Sequence, residues 1–436
     1  MNTMNTIDLP RVLVVGTNPW REDGTAHTLK SIFSCWESSK LALVYTKSGL
    51  PYTKVASRFF QISENLILKN LSKPWKNIGQ EVVSTEIVDD SLTREEDARY
   101  AKAHKNPSML LTICREFVWL FGHWRSRALN QFVEDFNPDL LFIPIYPTVY
   151  MGWIQRYVIR KTKKPFVCYL ADDNYSYDSC KGVLSYLHRF WLRKNVRWLS
   201  THCNQMYVIV EKEKEDTDNL FGTDSLILTK SIDFSNRPYS PHPLNKPIKF
   251  VYTGKLIIGR DKTLAMIADA INEVNKDGIK AELNIYSGDE PVAEVMAKLN
   301  NGASYHRGFI QRDQVDRVQQ EADVVVFAEA LEGKEANIAR LSFSTKITDY
   351  LANGKCILAI GKEYIAPIDY FARNDSAIIA NKKEEILERI RDIVNNPEII
   401  EEYSKKAYDC AVKNHEKSMV DTRFMESMVN TLVYRT

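Results

Sequence analysis

The stretch "IKFVYTGKLIIGRDKTLAMIADAINEVNKDGIKAELNIYSG", residues 248–288, decides the fold. It opens with an apolar run that ends at Gly254, passes through a basic loop, and continues with apolar residues at helical spacing over 262–276. A second apolar run follows at 281–288. Two short apolar runs separated by an amphipathic helix are typical of parallel strands joined by a crossover helix. The stretch therefore predicts an α/β unit with a buried parallel sheet.

The same alternation continues to residue 361. A short strand is predicted at 303–309, and apolar runs predict strands at 323–328 and 355–361; each follows a helical pattern or a loop that leads into it. Repeated strand–helix pairs of this kind predict an open, doubly wound sheet, which binds ligands at the carboxyl ends of its strands.

The first half of the chain repeats the theme with longer insertions, and we expect a second sheet there. Apolar runs predict strands at 11–16, 40–46, 139–145, 164–170 and 205–210. Periodic patterns predict helices at 26–36, 53–70 and 108–134.

Four prolines at 235–249 interrupt the periodic patterns and mark a linker between two domains. We predict an N-terminal Rossmann-like domain at 1–240 and a C-terminal one at 247–416, and we expect a helix at 417–436 to pack back on the first. Two doubly wound parallel-sheet domains joined in this way are expected to face each other across a cleft.

The composition restricts the class of partner. The 58 Lys and Arg residues nearly balance the 56 Asp and Glu, so the net charge of +2 gives no case for nucleic acid. The seven cysteines form no CxxC pair and no His/Cys cluster has ligand spacing, so we expect reduced thiols and no required metal. With no signal-peptide pattern and no apolar run near the roughly 18 residues of a spanning helix, we expect a cytoplasmic protein.

A lysine stands where a helix is predicted to begin in "FSTKITDYLANGKCILAIG", residues 343–361. At that end of a helix a cation costs about 0.3–1 kcal/mol, but a bound phosphate would make Lys346 favourable. Ser344 and Thr345 add hydroxyl groups, and either could cap the helix. Asp349, one turn later, is well placed to accept hydrogen bonds from a ribose. The alternative is a capped helix with an ion pair between Lys346 and Asp349.

A second basic segment, "YTGKLIIGRDK" at 252–262, follows the first strand of this sheet. Gly254 and Lys255 end the strand, and Arg260 and Lys262 lead into the next helix. Three cations around two glycines at a strand's carboxyl end indicate a diphosphate clamp. The alternative is a solvated basic loop. Because both segments fall on one edge of one sheet, together they favour a phosphate site.

At this point the second half resembles the donor domain of family-4 type glycosyltransferases, which have the GT-B fold. The motifs that carry the resemblance are "GKLIIGRDK" (254–262), "LNIYSGDE" (283–290), "YHRGFIQRDQVDRVQQEADVVVFA" (305–328) and "STKITDYLANGKCILA" (344–359). The resemblance implies a hexosyltransferase that moves a sugar from a UDP-sugar or GDP-sugar, without another cofactor, to a glycan or polyprenol-linked acceptor. It further implies retention of the anomeric configuration and a role in bacterial surface polysaccharide synthesis.

Residue by residue, the resemblance assigns Lys255, Arg260 and Lys346 to the diphosphate and Asp349 to the ribose. Gly16 ends the first strand, and the loop after it faces the reaction centre in the family.

The sugar-contacting acids depart from the family pattern. A Glu is common in the family eight residues before the ribose acid, where this chain has Leu341. Glu329, Glu332 and Glu335 in the preceding loop are the possible substitutes, and the sequence does not rank them; we carry Glu332 as the catalytic candidate.

A histidine that contacts the sugar follows the strand equivalent to 164–170 in many members. Here Asp172 and Asp173 stand in that place and are expected to face the cleft. These departures leave two alternatives open, a nucleotide-sugar 2-epimerase on the same fold and a non-catalytic nucleotide-sugar-binding protein.

Two basic stretches with interleaved aromatic residues, 153–164 and 181–198, belong to the first domain. Such stretches can lie on an anionic membrane surface, which would place the protein at the inner face of the cell membrane. The alternative is a pair of helices that pack on the first sheet and turn their basic faces to solvent.

Overall fold

The computed structural model describes residues 8–22, 27–70, 73, 78–85 and 108–433. The chain divides into two compact units. The first contains the residues up to Ile209, the segment Lys214–Thr229 and the residues from Asp421 onward. The second contains Val210–Glu213 and Lys230–Val420.

The first unit is built on an eight-stranded sheet. Its strands are β1 (Val12–Val15), β2 (Leu41–Tyr45), β3 (Arg58–Gln61), β4 (Gln80–Val82), β5 (Leu140–Pro144), β6 (Phe166–Leu170), β7 (Gln205–Val208) and β8 (Leu226–Ile227). The order is β4-β3-β2-β1-β5-β6-β7-β8, and every pair is parallel except β3 with β4.

Helices cover both faces of this sheet, as its buried apolar strands require. They are α1 (His27–Ile32), α2 (Glu64–Asn70), α3 (Met109–Phe121), α4 (Arg127–Phe136), α5 (Val149–Thr162), α6 (Val183–His202) and α7 (Glu211–Phe221).

The second unit has a six-stranded, fully parallel sheet. Its strands are β9 (Ile248–Thr253), β10 (Ala281–Tyr286), β11 (Ser304–Gly308), β12 (Val324–Ala328), β13 (Cys356–Ile360) and β14 (Ile378–Ala380), in the order β11-β10-β9-β12-β13-β14. Its helices are α8 (Arg260–Val274), α9 (Ala293–Leu299), α10 (Arg312–Gln320), α11 (Glu335–Ile338), α12 (Thr345–Ala352), α13 (Ala366–Arg373), α14 (Lys383–Asn395) and α15 (Glu398–His415). The last helix, α16 (Lys417–Val433), begins in the second unit and belongs to the first from Asp421 onward.

Both sheets reverse their strand order at one point, between β1 and β5 in the first unit and between β9 and β12 in the second. At such a point neighbouring crossover helices lie on opposite faces, and a crevice opens beyond the carboxyl ends of the two strands. The two sheets therefore confirm the predicted doubly wound architecture and indicate where each would bind a ligand.

Two predicted helices of the first unit are wrong in part. Residues 58–61 form β3 rather than helix, because Phe59 and Phe60 are buried beside β2. The predicted helix at 108–134 is two helices, α3 and α4. Gly122 follows α3, and a Cβ there would lie 2.8 Å from Cγ2 of Ile67.

Helix α16 supplies part of the first unit's core. Phe424 packs edge-on against Phe33 and Phe142, with ring centroids 5.3 and 6.3 Å apart. One turn later the Ser427 hydroxyl lies 2.6 Å from the Tyr207 hydroxyl.

Candidate functional site

A cavity of about 240 Å³ lies at the carboxyl edge of the second sheet, where the strand order reverses. Its lining includes three cations, one acid, one hydroxyl residue and two tyrosines: Lys255, Arg260, Lys346, Glu329, Ser344, Tyr252 and Tyr350. The structure therefore brings together four of the predicted donor-site residues, Lys255, Arg260, Ser344 and Lys346.

Lys346 lies in the first turn of α12. Ser344 is the N-cap, and its hydroxyl accepts a hydrogen bond from the Lys346 amide at 3.4 Å, so Ser344 rather than Thr345 caps the helix. The Lys346 Nζ donates to the Thr253 carbonyl oxygen at 2.7 Å. Burial, and then the neighbouring Arg260, lower the pKa of Lys346 to about 8. This lysine is held at the end of β9 in a place that favours an anionic partner.

Gly254 makes this position of the lysine possible. Its φ is +150°, which side-chain-bearing residues rarely adopt, and a Cβ there would lie 1.9 Å from the Lys346 Nζ. Glycine is therefore required by both the backbone conformation and the space that the ammonium group occupies.

Arg260 and Glu329 form a two-pronged ion pair across the reversal point. The Arg260 Nε and Nη2 donate to the two carboxylate oxygens of Glu329 at 2.9 and 2.7 Å. Glu329 directly follows β12 and is 3% exposed. A planar fork-to-fork pair of this kind fixes the direction of the guanidinium group. Glu329, which the sequence offered only as one possible sugar ligand, is a partner of Arg260 in this structure.

The loop before α8 is shaped by its backbone. The Leu256 amide donates to Oδ2 of Asp289 at 2.8 Å, and the Tyr252 hydroxyl donates to the Lys255 carbonyl at 2.8 Å. Ile258 has a φ of +59°, an unusual conformation for a β-branched residue. The loop exposes the side chain of Lys255 beside the cavity, while Lys262 is exposed on α8 and does not line it.

Asp349 does not pair with Lys346, so the alternative of an ion pair within α12 is wrong. Its carboxylate accepts a hydrogen bond from the Nζ of Lys230 instead. Sequence reasoning missed Lys230, although the lysine stands in the "LTKSIDF" segment that precedes the linker. Ile347 and Leu351, which are fully buried, form the inner side of α12.

The remaining loop acids occupy different places. Glu332 is exposed on the loop between β12 and α11, and it is not among the residues that line the cavity. Glu335 begins α11, and its Cβ would lie 3.6 Å from a Cβ placed on Gly259.

A second cavity, of about 200 Å³, lies at the strand-order reversal of the first unit. Gly16 and Asp172 line it together with Tyr146, whose hydroxyl would lie 3.0 Å from a Cβ on Gly16. Asp173 is not part of this lining. Its carboxylate accepts hydrogen bonds from the backbone amides of Tyr175 and Ser176 at 3.2 and 2.8 Å, so it shapes its own loop.

Two kinds of feature do not occur in the part of the chain that the structure describes. No group of three or more His, Cys, Asp or Glu side chains could hold a metal ion there. Nor is any helix of that part long and apolar enough to cross a bilayer.

No protein-family model matches the sequence, and no curated protein is a significant match. Solved structures do match. HepE from Anabaena in complex with UDP has a TM-score of 0.63 and 9% identity, covering 96% of this chain and 100% of HepE. The apo form of the lipopolysaccharide outer core galactosyltransferase WaaB has a TM-score of 0.58 and 11% identity, covering 98% and 99%. A TarM mutant from S. aureus, in complex with Fondaparinux, alpha-GlcNAc-glycerol and UDP, has a TM-score of 0.57 and 9% identity, covering 97% and 99%.

These neighbours and the two doubly wound sheets define the class: the chain has the fold of GT-B glycosyltransferases, as the sequence predicts. At 9–11% identity the likeness concerns the fold alone.

Proposed function

We propose that the protein is a glycosyltransferase that takes its sugar from a nucleoside diphosphate sugar. One observation carries the proposal: Lys255, Arg260 and Lys346 surround a single cavity at the reversal point of the second sheet. HepE, whose fold is similar to that of this chain, has been solved in complex with UDP and with UDP-glucose. A UDP-sugar or a GDP-sugar is therefore the expected donor.

Three positive side chains can neutralise a diphosphate without a metal ion or another cofactor. The Lys346 ammonium group would either leave the Thr253 carbonyl or donate to the carbonyl and to a phosphate oxygen at the same time. The backbone amides of the first turn of α12 and the positive end of the helix dipole would also favour the phosphate. Glu329 engages the Nε–H and one N–H of Nη2 of Arg260, so a phosphate oxygen would accept from Nη1 or from the second N–H of Nη2. Positive groups held in advance around the leaving diphosphate stabilise the charge that develops as the sugar–phosphate bond breaks.

The ribose would bind at Asp349, which requires that the carboxylate share or exchange its partner Lys230. Lys262 and Thr345 would lie at the edge of the same site. We assign the donor sugar to the loop that carries Glu332, and the acceptor or the anomeric centre to Asp172, with Gly16 beside it. Asp173 would hold the conformation of the loop that carries Asp172 and would not contact the substrates itself.

We assign the enzyme family, the stereochemical outcome and the acceptor from the sequence motifs. We propose a family-4 type enzyme of the hexosyltransferase type, with the donor site in 247–416, the acceptor side in 1–240 and retention of the anomeric configuration. The acceptor would be a glycan or a polyprenol-linked sugar in surface polysaccharide synthesis. The protein would act in the cytoplasm as a peripheral protein at the inner face of the cell membrane.

A nucleotide screen tests the proposal. A ligand present at 100 times its dissociation constant stabilises the folded state by about 2.7 kcal/mol, so thermal unfolding with UDP, GDP and ADP should reveal the base. The matching nucleotide sugars are then incubated with and without glycan acceptors. Turnover only with an acceptor supports a transferase, turnover to an epimer without acceptor supports a 2-epimerase, and binding without turnover supports a non-catalytic protein. If no nucleoside diphosphate stabilises the chain, the donor site is refuted.

A further inference from the structure

Helix α3 turns apolar side chains outward over its whole length. Phe117 is 52% exposed and Phe121 is 65% exposed, and their rings stack with centroids 6.5 Å apart. Leu110, Leu111 and Leu120 are also exposed. A surface helix of a soluble domain usually turns polar residues to solvent, so this pattern is reversed on the outer side of α3.

The amino-terminal half of α6 continues the same surface. Its exposed residues are Val183, Leu184, Tyr186, Leu187, Phe190 and Trp191. The two helices are in contact, since Nε2 of His188 on α6 lies 3.1 Å from Oε1 of Glu116 on α3. We call these outward residues of the two helices the α3–α6 face.

The α3–α6 face is fixed rigidly to the first unit. The buried Glu116 accepts hydrogen bonds from the amides of Val149 and Tyr150 at 2.9 and 2.7 Å, which anchors α3 to the first turn of α5. Trp119, on the inner side of α3, is fully buried and stacks on the Tyr150 ring at 4.3 Å. The outward apolar residues therefore belong to a well-packed helix, and a contiguous apolar patch on such a helix marks an interaction site.

Within the segments 108–127 and 181–203, which carry this face, the exposed charged side chains have one sign. The sequence has no acid between 181 and 203, and the single acid between 108 and 127 is the buried Glu116. Lys194 is exposed, with its Nζ 4.5 and 4.7 Å from the ring centres of Phe190 and Trp191. Arg125 and Arg127, just after α3, are exposed as well.

Three of the cations in the two basic stretches contact groups inside the first unit instead of solvent. Arg189 and Arg193 donate to the carbonyls of Asp173 and Tyr175 at 2.8 and 2.6 Å. On α5, Arg156 lies over the Trp198 ring at 4.6 Å. The basic side of α6 thus holds the loop after β6, and its opposite side carries the apolar residues.

We propose that the α3–α6 face docks on a bilayer that contains anionic lipids. Its Phe, Leu and Trp side chains would enter the boundary between headgroups and acyl chains, as those of interfacial amphipathic helices do. Trp191 and Tyr186 are residues of the types enriched at that depth, and Lys194, Arg125 and Arg127 would meet the lipid phosphates. A second copy of this chain is a less suitable partner. Two α3–α6 faces packed together would bring their cations close to each other, and neither segment has an exposed acid to balance them. The inference does not rest on the nucleotide site.

Sedimentation with vesicles of phosphatidylcholine alone or mixed with phosphatidylglycerol tests the proposal on the full chain. We expect stronger binding to the anionic vesicles at low salt, weakened but not abolished at high salt, because screening removes only the charge contribution. The double variant Phe117→Asp/Phe121→Asp should lower partition about tenfold or more, since it removes apolar area from the contact. A separate Trp191→Asp variant should lower it as well.

The matched control is Ile279→Asp/Val292→Asp, which alters two side chains of the second unit that are 69% and 70% exposed. This control should bind vesicles as the parent does. UDP binding is measured for every variant, so that loss of vesicle binding is separated from loss of the fold or of the donor site. The proposal is overturned if the parent ignores anionic vesicles at low salt, or if both face variants bind them like the parent. It is also overturned if the parent is a dimer in solution that Phe117→Asp/Phe121→Asp dissociates, since a second copy then covers the face.

Discussion

Replacing Lys346 with methionine should make the ligand-free protein more stable and its nucleotide binding weaker. Burial lowers the pKa of this lysine from 10.5 to about 8. At 1.36 kcal/mol per pH unit, holding the charged form there costs about 3 kcal/mol at pH 7. The variant loses the hydrogen bond to the Thr253 carbonyl, which contributes about 1.5 kcal/mol. The free energy of unfolding should therefore rise by about 1.5 kcal/mol, while the affinity for UDP falls by about 1.5–3 kcal/mol.

Urea unfolding at several pH values and calorimetric titration with UDP measure the two effects. The pKa in the folded chain lies below the unfolded value, so the unfolded chain binds one more proton between pH 8 and 10.5. The parent's stability consequently rises across that range, and the advantage of Lys346→Met should shrink as the pH increases.

Lys355→Met is the matched control. Burial lowers the pKa of this lysine to about 8 as well, but its Nζ donates to the Gln320 and Ala322 carbonyls at 2.5 and 3.0 Å, and it precedes β13 at the amino edge of the same sheet. This variant should bind UDP as the parent does. A Lys346→Met protein that is less stable at pH 7 and retains parental affinity for UDP would refute the assignment.

Three further outcomes are expected. Gly254→Ala should weaken UDP binding about tenfold or more and lower the melting temperature, because the added Cβ would collide with the Lys346 ammonium group. The control is Gly278→Ala, which is also at positive φ but has open space around it, and it should leave UDP binding unchanged. Asp349→Ala should weaken binding of UDP more than binding of 2′-deoxy-UDP in parallel titrations, and equal losses would remove the ribose assignment. Burial lowers the pKa of His415 from 6.5 to about 4, so the unfolded chain binds the extra proton between these values and stability should fall as the pH drops from 6.5 to 4. His415→Asn should flatten that part of the stability profile, measured by urea unfolding.

Strands β12 and β13 could be predicted because each is a run of five buried, mainly apolar residues, a signal contained within a few neighbouring residues. Strand β14 of the same sheet, only three residues long, is not among the predicted strands. Strand β3 could not be predicted, since the four residues Arg58–Gln61 carry only two apolar side chains, and their strand conformation depends on pairing with β2. Local patterns therefore suffice for central strands and fail where tertiary pairing decides the conformation.

The candidate site divides in the same way. The grouping of Lys255, Arg260 and Lys346 follows from their places at the ends of parallel strands. The pairs of Arg260 with Glu329 and of Lys230 with Asp349 join residues 69 and 119 positions apart, and no local pattern indicates them.

The role of Asp173 did have a local signal. An aspartate followed by polar residues often accepts hydrogen bonds from the amides two and three positions ahead, and Asp173 does so with Tyr175 and Ser176.

The core of the first unit cannot be completed until the second unit has been synthesised, because helix α16 follows the second unit in the chain. Phe424 and Ser427 complete the first unit's core, yet the ribosome reaches them only after it has made Lys230–Val420. At roughly 5–20 residues per second, those about 190 residues take about 10–40 s. Throughout that time Phe33 and Phe142 pack on each other but lack the Phe424 ring, so the nascent first unit offers an apolar gap to chaperones and proteases. We therefore expect chaperones and proteases to act on the incomplete core of the first unit until α16 has packed against it.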